Sequence, residues 1–180
     1  MISDRPRNIT FQLRLLQRED AERLFEVIHT NRAYLRQWLP WVDSTLTVGD
    51  SRSFIEDSLA QYGRGENVVA AIWCETKIVG CIGLNRINAA HQKAEIGYWL
   101  SHGYQRKGII TRACRQLINY AFDELKMNRI EILVAEKNRR SRSVAERLNF
   151  AQEGILKEYY RQHQVFLDMV IYAMLRKNWK

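Results

Sequence analysis

Cysteine and histidine are scarce in this chain, and their spacing excludes two common kinds of scaffold. Cys74, Cys81 and Cys114 fall in separate segments. An odd count with no paired spacing argues against a disulfide framework and against a zinc knuckle, so all three are expected as buried thiols. His29, His91, His102 and His163 are scattered, none one helical turn from another, and no metal is indicated. A long uncharged apolar run is missing too, so no membrane span is expected. Residues 1–7, Met-Ile-Ser-Asp-Arg-Pro-Arg, lack the apolar centre of a secretion signal, and a cytoplasmic location is the expectation.

What is present suits a single domain over residues 1–180: the chain is 46% hydrophobic and shows no repeat or linker. Its formal charge of +8 favours anionic partners, whether a phosphorylated cofactor, RNA or a membrane surface. The densest basic cluster is Lys137, Arg139, Arg140 and Arg142. The aromatic-and-basic pattern of RNA-binding modules is absent, which disfavours nucleic acid.

Along the chain, Ile9, Phe11, Leu13 and Leu15 alternate with polar residues, the period of a half-buried strand. Asp20 is placed to cap a helix with Ala21, Leu24, Phe25 and Ile28 on its apolar face, and a further helical turn runs toward Trp38 before Pro40 stops it. Asp50 or Ser51 should cap a helix through Phe54, Ile55 and Leu59 that ends near Gly63 and Gly65. Strands follow at 68–73, 77–84 and 93–100, then a helix from Gly108 with Cys114, Leu117, Ile118, Ala121, Phe122 and Leu125 on one face. A strand at 129–135, a short helix at 141–148, and strands at 152–157 and 165–175 joined by 159–164 complete the reading. The sum is an α+β or α/β domain with a mixed sheet, antiparallel early and parallel where the helix at 108 crosses over.

Residues 105–111, Gln-Arg-Lys-Gly-Ile-Ile-Thr, stand between a strand and that amphipathic helix. Glycine at a helix entrance lets successive N–H groups and the positive end of the helix dipole converge on a phosphate. Arg106 and Lys107 add charge for a diphosphate. This stretch has neither the Gly-Lys-Ser/Thr of an ATP loop nor the three spaced glycines of a dinucleotide loop, so ATP and NAD lose ground.

Ala94-Glu-Ile-Gly-Tyr-Trp-Leu100 before Gln105–Thr111, then Asn138, Ser141, Val144 and Phe150, resembles the GNAT acetyltransferase superfamily, in particular its RimJ/RimL branch. Leu35 to Trp41, Glu153-Gly154, Asp168 and the closing segment 172–179 share the resemblance, which spans most of the chain. It implies a GNAT-like mixed, mostly antiparallel central sheet flanked by helices, acetyl-CoA as donor and a primary amine as acceptor. By resemblance, Trp99, Leu100, Gln105, Arg106, Lys107, Gly108, Ile109, Ile110, Thr111, Asn138 and Ser141 bind the cofactor, with Asn138 orienting its arm and Ser141 donating to the departing sulfur. A protein N-terminal amine, possibly ribosomal, is the first acceptor class; polyamines and antibiotics are others. The pattern departs at Ile110, at Asn149 where glycine is common, at Ala145 where many relatives place a tyrosine acid, and at Tyr160 where the branch often has a glutamate.

Acetyl transfer to an amine needs a neutral nucleophile, a stabilised carbonyl oxygen and a proton for the thiolate. Alternation puts Glu95, Gly97 and Trp99 on one face of their strand, with Gly97 leaving room beside the carboxylate. Glu95 is the preferred general base; the alternative is a surface carboxylate paired with a neighbouring cation. Ser141 or Ser143 could instead cap the short helix, Ser143 having capping-box spacing to Glu146. Glu158, Tyr159 and Tyr160 are further candidates for proton handling, and a backbone N–H within 99–101 is the expected oxyanion donor. Leu35, Trp38, Leu39 and Trp41 either line the acceptor slot or belong to the core. Two other outcomes stay open: a non-catalytic acyl-CoA or RNA-binding module, and a homo-oligomer paired through an exposed strand near the C-terminus.

Overall fold

Alternating apolar residues build a seven-stranded sheet whose two faces are covered by separate sets of helices. The computed structural model describes residues 9–180, so the segment weighed above as a secretion signal lies outside the described residues. The strands are β1 (Gln12–Leu15), β2 (Val68–Cys74), β3 (Lys77–Asn88), β4 (Lys93–Leu100), β5 (Arg129–Ala135), β6 (Ala151–Gln162) and β7 (Val165–Leu175). The helices are α1 (Ala21–Thr30), α2 (Arg32–Leu35), α3 (Val48–Gly63), α4 (Ile109–Asp123) and α5 (Arg139–Arg147). Strand order is β1-β2-β3-β4-β5-β7-β6, antiparallel throughout except for the β4–β5 pair, which α4 connects. This is the mixed, mostly antiparallel sheet that the resemblance implied.

One face packs Ile96, Ile130 and Val170 against Ile109, Ile118 and Phe122 of α4 and Val144 of α5. The other packs Val69, Ala71 and Cys81 against Leu24 and Ile28 of α1 and Ile55 of α3. Each such fully buried Val, Leu, Ile or Phe side chain contributes about 1.5–3 kcal/mol relative to exposure. The three cysteines are free and buried, as expected.

Several ends differ from the sequence reading, each for a local reason. Strand β1 starts at Gln12, because Arg112 donates to the Ile9 carbonyl at 2.7 Å and lies over the Phe11 ring, drawing that segment to α4. Asp20 gives α1 no side-chain cap; its carboxylate accepts the Gln17 N–H at 3.0 Å. Thr47, not Asp50 or Ser51, caps α3, with Asp50 reaching back to the Thr47 N–H in a capping box. Neither Ser141 nor Ser143 caps α5: Asn138 Oδ1 accepts the Ser141 N–H at 3.2 Å, and Ser143 bonds back to the Arg139 carbonyl. The segment 159–164 is not a connection. Strand β6 runs on to Gln162 past a register shift between Leu156 and Tyr160, leaving His163 and Gln164 as the turn. Asn149 adopts φ 59°, the left-handed turn expected of an Asn in glycine's place.

Candidate active site

The site begins where the sheet forks. Strands β4 and β5 pair only at Lys93↔Arg129, Ala94↔Ile130 and Glu95↔Glu131; beyond Glu95 they part. Ser101 N–H donates to the Val79 carbonyl at 2.7 Å, so it is spent and cannot be the oxyanion donor. Backbone groups alternate sides along a strand, which turns the N–H of Leu100 and of Tyr98 toward the gap left by β5. Both strands line a cleft of about 1420 Å3 that also reaches α3, the α4 entrance, α5 and the β6–β7 hairpin.

At one end lies the loop before α4. Gly108 takes φ +69° at the N-cap position with no side-chain cap, and a Cβ built there meets nothing within 4 Å. Arg106 before it is also left-handed, at φ 61°. The first amides of a 15-residue helix are therefore uncapped above open space, a fit for a phosphate. Ile109 is buried as the helix's anchor, while Ile110 and Thr111 are half-buried at the cleft. From α5, Arg140 donates to Gln105 Oε1 at 2.8 Å and Arg147 to Thr111 Oγ1 at 3.4 Å, so two further cations flank this entrance. Lys107 sits over the Tyr104 ring, 5.0 Å from its centroid. Arg142, from the same basic cluster, turns away to Tyr172 and Gln152.

On the opposite side of the fork is Glu95, with its side chain 23% exposed and Arg86 at 3.2 Å. Burial raises its carboxyl above the ordinary glutamate value; the exposed Arg86 opposes the rise and Glu131 adds to it. Arg86 reaches Glu95 because the β3–β4 register slips between Asn85 and Asn88. Gly97 does not leave the space expected of it: a Cβ there would sit 2.8 Å from Asn85 Nδ2, so the Asn85 carboxamide covers this glycine. Asn85 is also the register partner of Glu95, which sets an uncharged polar group beside the carboxylate.

Ser141 faces the cleft from the first turn of α5, and its hydroxyl lies 2.9 Å from the Tyr98 hydroxyl. The Tyr98 hydroxyl also lies 3.1 Å from the Ser141 carbonyl, so its single hydrogen has two acceptors on Ser141, of which Oγ is the nearer. Burial pushes the Tyr98 phenol well above its ordinary value. Ala145 is fully buried in the core, one turn further along α5.

The far end of the cleft is walled by aromatic side chains. Trp38, Trp41, Phe54, Tyr159 and Tyr160 all line it, with the Trp41 ring tilted by 56° to that of Trp99 at 6.2 Å between centroids. Leu35, Trp38, Leu39 and Trp41 all border the cleft; Leu35 is at the same time a buried core residue, whereas Trp41 is 38% exposed. Glu158 is exposed at φ 49°, and its N–H donates to Asp168 Oδ1 at 2.9 Å. Asp168 also accepts from Lys157 at 2.8 Å, pinning the bulge that carries Tyr159 and Tyr160. Gln162 ties the hairpin to the Arg36 carbonyl at 3.0 Å.

One cleft thus collects Glu95, Trp99, Leu100, Gln105, Arg106, Gly108, Ile109, Ile110, Thr111, Asn138 and Ser141; Lys107 stands beside it on Tyr104. The sequence reading gave no role to Tyr98, Asn85, Arg86 or Arg147, while Arg140 came from the basic cluster it singled out. Among the former, only Tyr98 left a trace, as the one hydroxyl on the apolar face Ala94, Ile96, Tyr98, Leu100.

A forked sheet with an uncapped, glycine-entered helix at one end and a desolvated carboxylate and a hydroxyl at the fork defines an acyltransferase that takes its acyl group from a coenzyme A thioester. The chain belongs to the acetyltransferase (GNAT) domain family, whose model matches residues 10–151. It is an N-acetyltransferase with acetyl-CoA as donor. It is 37% identical over 169 residues, 93% of this chain and 92% of the relative, to a Bacillus subtilis protein provisionally named a ribosomal N-acetyltransferase. It is 29% identical over 166 residues, 92% of this chain and 93% of the relative, to the ribosomal-protein-serine acetyltransferase of Escherichia coli. Among solved structures, the microcin C7 self-immunity acetyltransferase in complex with acetyl-CoA and AMP matches with a TM-score of 0.88 at 30% identity, over 92% of each chain.

Proposed function

We propose that this chain is a cytoplasmic, single-domain enzyme that acetylates the N-terminal amine of a protein, of the ribosomal-protein kind. Glu95 acts as base and Ser141 as acid. The observation that carries this reading is the pairing, in one cleft, of a desolvated Glu95 with a hydroxyl across the fork. When bound, acetyl-CoA supplies an activated acetyl group whose departing thiolate needs a hydrogen-bond donor.

The residues divide the work by position. Amides at the start of α4, with Arg106, Lys107 and Arg140, hold the diphosphate, and Asn138 keeps the α5 entrance in place. Glu95 takes a proton from the acceptor ammonium, directly or through a water, and the rise in its pKa on burial makes it a stronger base than an ordinary glutamate. The Leu100 N–H, left free by the fork, is directed to the developing oxyanion. Ser141 presents its hydroxyl to the leaving sulfur. With Tyr160 where relatives carry a glutamate, Glu95 is the carboxylate available at the fork.

The aromatic wall favours a peptide terminus over a polyamine. Carboxylates lining the cleft are Asp50, Asp57 and Glu95, and Asp50 is already spent on capping α3. That is too little negative charge for a polycation slot, while Trp41, Phe54 and Tyr159 offer flat apolar surface to a peptide's first residues. The names of the relatives from B. subtilis and E. coli point the same way.

Calorimetric titration with acetyl-CoA, followed in the same sample by thiol release with N-terminal peptides and polyamines, tests the reading. Saturable binding with peptide-dependent release supports it. Release with polyamines alone overturns the acceptor class, and binding without release under any acceptor points to a sensor.

A further inference from the structure

Tyr98 carries a polar atom on a strand face that is otherwise apolar. Its ring packs with the core under α4, and among the described residues its hydroxyl hydrogen-bonds to Ser141 alone, at 2.9 Å to Oγ and 3.1 Å to the carbonyl oxygen. These contacts tie β4 to α5 across the fork, where the two strands no longer pair. The amide of Ser141 is fixed as well, by Asn138. Ser141 is thus held at its N–H, its carbonyl and its hydroxyl.

Two hydroxyls share two hydrogens here, with the Ser141 carbonyl as the more distant, competing acceptor of the phenol hydrogen, and their arrangement decides what Ser141 can do. If Ser141 donates to the Tyr98 oxygen, its hydrogen is unavailable to a ligand. If Tyr98 donates to Ser141 Oγ, the serine hydrogen is released toward the cleft, and the serine becomes a stronger donor because its oxygen is polarised. We propose that Tyr98 is a positioning residue that donates to Ser141 Oγ and so turns the serine hydrogen onto the sulfur that leaves the acetyl group. The proposal rests on the reading of Ser141 as acid. It also accounts for Ala145: with that position sealed in the core, the phenol is supplied from the strand and acts through the serine. Burial keeps Tyr98 protonated, hence a donor, across the working range; Cys114, Arg147 and Tyr172 are the titratable groups acting on it.

The test compares binding of CoA with that of CoA lacking the sulfur, by calorimetry near pH 9, where a free thiol is about half ionised or more. Wild type is expected to favour CoA by about tenfold, the worth of one charge-assisted hydrogen bond. Tyr98→Phe and Ser141→Ala should each remove most of that preference, and the double variant no more than either alone. Turnover should follow: Tyr98→Phe lowers kcat about tenfold or more with KM for acetyl-CoA unchanged, and costs nothing further in the Ser141→Ala background. A sulfur preference and kcat left intact in Tyr98→Phe, or effects that multiply in the double variant, would overturn the proposal. Full activity in Ser141→Ala would instead sink the parent reading. Should Tyr98→Phe fail to fold, fluorotyrosine at position 98 keeps the shape and makes the phenol a better donor; the sulfur preference must then rise.

Discussion

In the proposed mechanism, the surroundings of Glu95 set both a rate and a stability. Its folded pKa lies above the ordinary 4.5 because burial disfavours the charged form. As the proposed base it works only when ionised, so kcat/KM should climb with pH through a midpoint above 4.5, read from a pH–rate profile. The stability effect has the opposite sense. The folded state holds this proton more tightly than the unfolded chain does, so the contribution is complete below 4.5 and is lost as pH rises through the raised value. Glu95→Gln should therefore cut turnover by about 100-fold or more while leaving acetyl-CoA affinity and the melting temperature at neutral pH unchanged or slightly raised. At Gly108, aspartate tolerates the φ of +69° better than most residues, so Gly108→Asp should fold yet lose acetyl-CoA binding in calorimetry, its carboxylate occupying the open space above α4. That loop was legible because its chemistry is local. The Tyr98–Ser141 contact was not, since it joins residues 43 apart whose partnership exists only after α5 folds back over the fork.

At the scale of elements, periodicity located the strands well and their ends less well. Strands β5 and β7 match the reading because apolar residues dominate each, with Glu131 and Asp168 as isolated polar breaks. Strand β6 was cut short because Glu158, Tyr159 and Tyr160 read as loop; what extends it is Asp168, a partner on the next strand. Lys157 and the Glu158 N–H hold the Asp168 carboxyl below the ordinary aspartate range, so the pin is present at neutral pH and is lost as pH falls through that depressed value. Asp168→Ala should free the bulge, raising KM for the acceptor and leaving acetyl-CoA affinity unchanged in calorimetry. Cap placement was misread at both α3 and α5, since several polar residues precede each helix and geometry alone selects Thr47 and Asn138. Asn138→Ala should cost about 1 kcal/mol in chemical denaturation, the usual worth of an N-cap.

For the molecule as a whole, the charge of +8 is not spread evenly in its effect, because Arg106, Lys107, Arg140 and Arg147 converge on the mouth of α4. Acetyl-CoA affinity should fall severalfold between about 0.05 and 0.5 M salt, as exposed charges are screened. A cleft-wide arrangement of this kind was only partly visible beforehand, since the sequence shows which cations exist and not which ones turn inward. The fork has a mechanical consequence. Three register pairs are all that zip β1-β2-β3-β4 to β5-β7-β6, so the sheet is two plates joined at a short seam. A ligand lying between the plates works as a rivet, and amide hydrogen exchange along 96–100 and 132–135 should slow together when it is driven in.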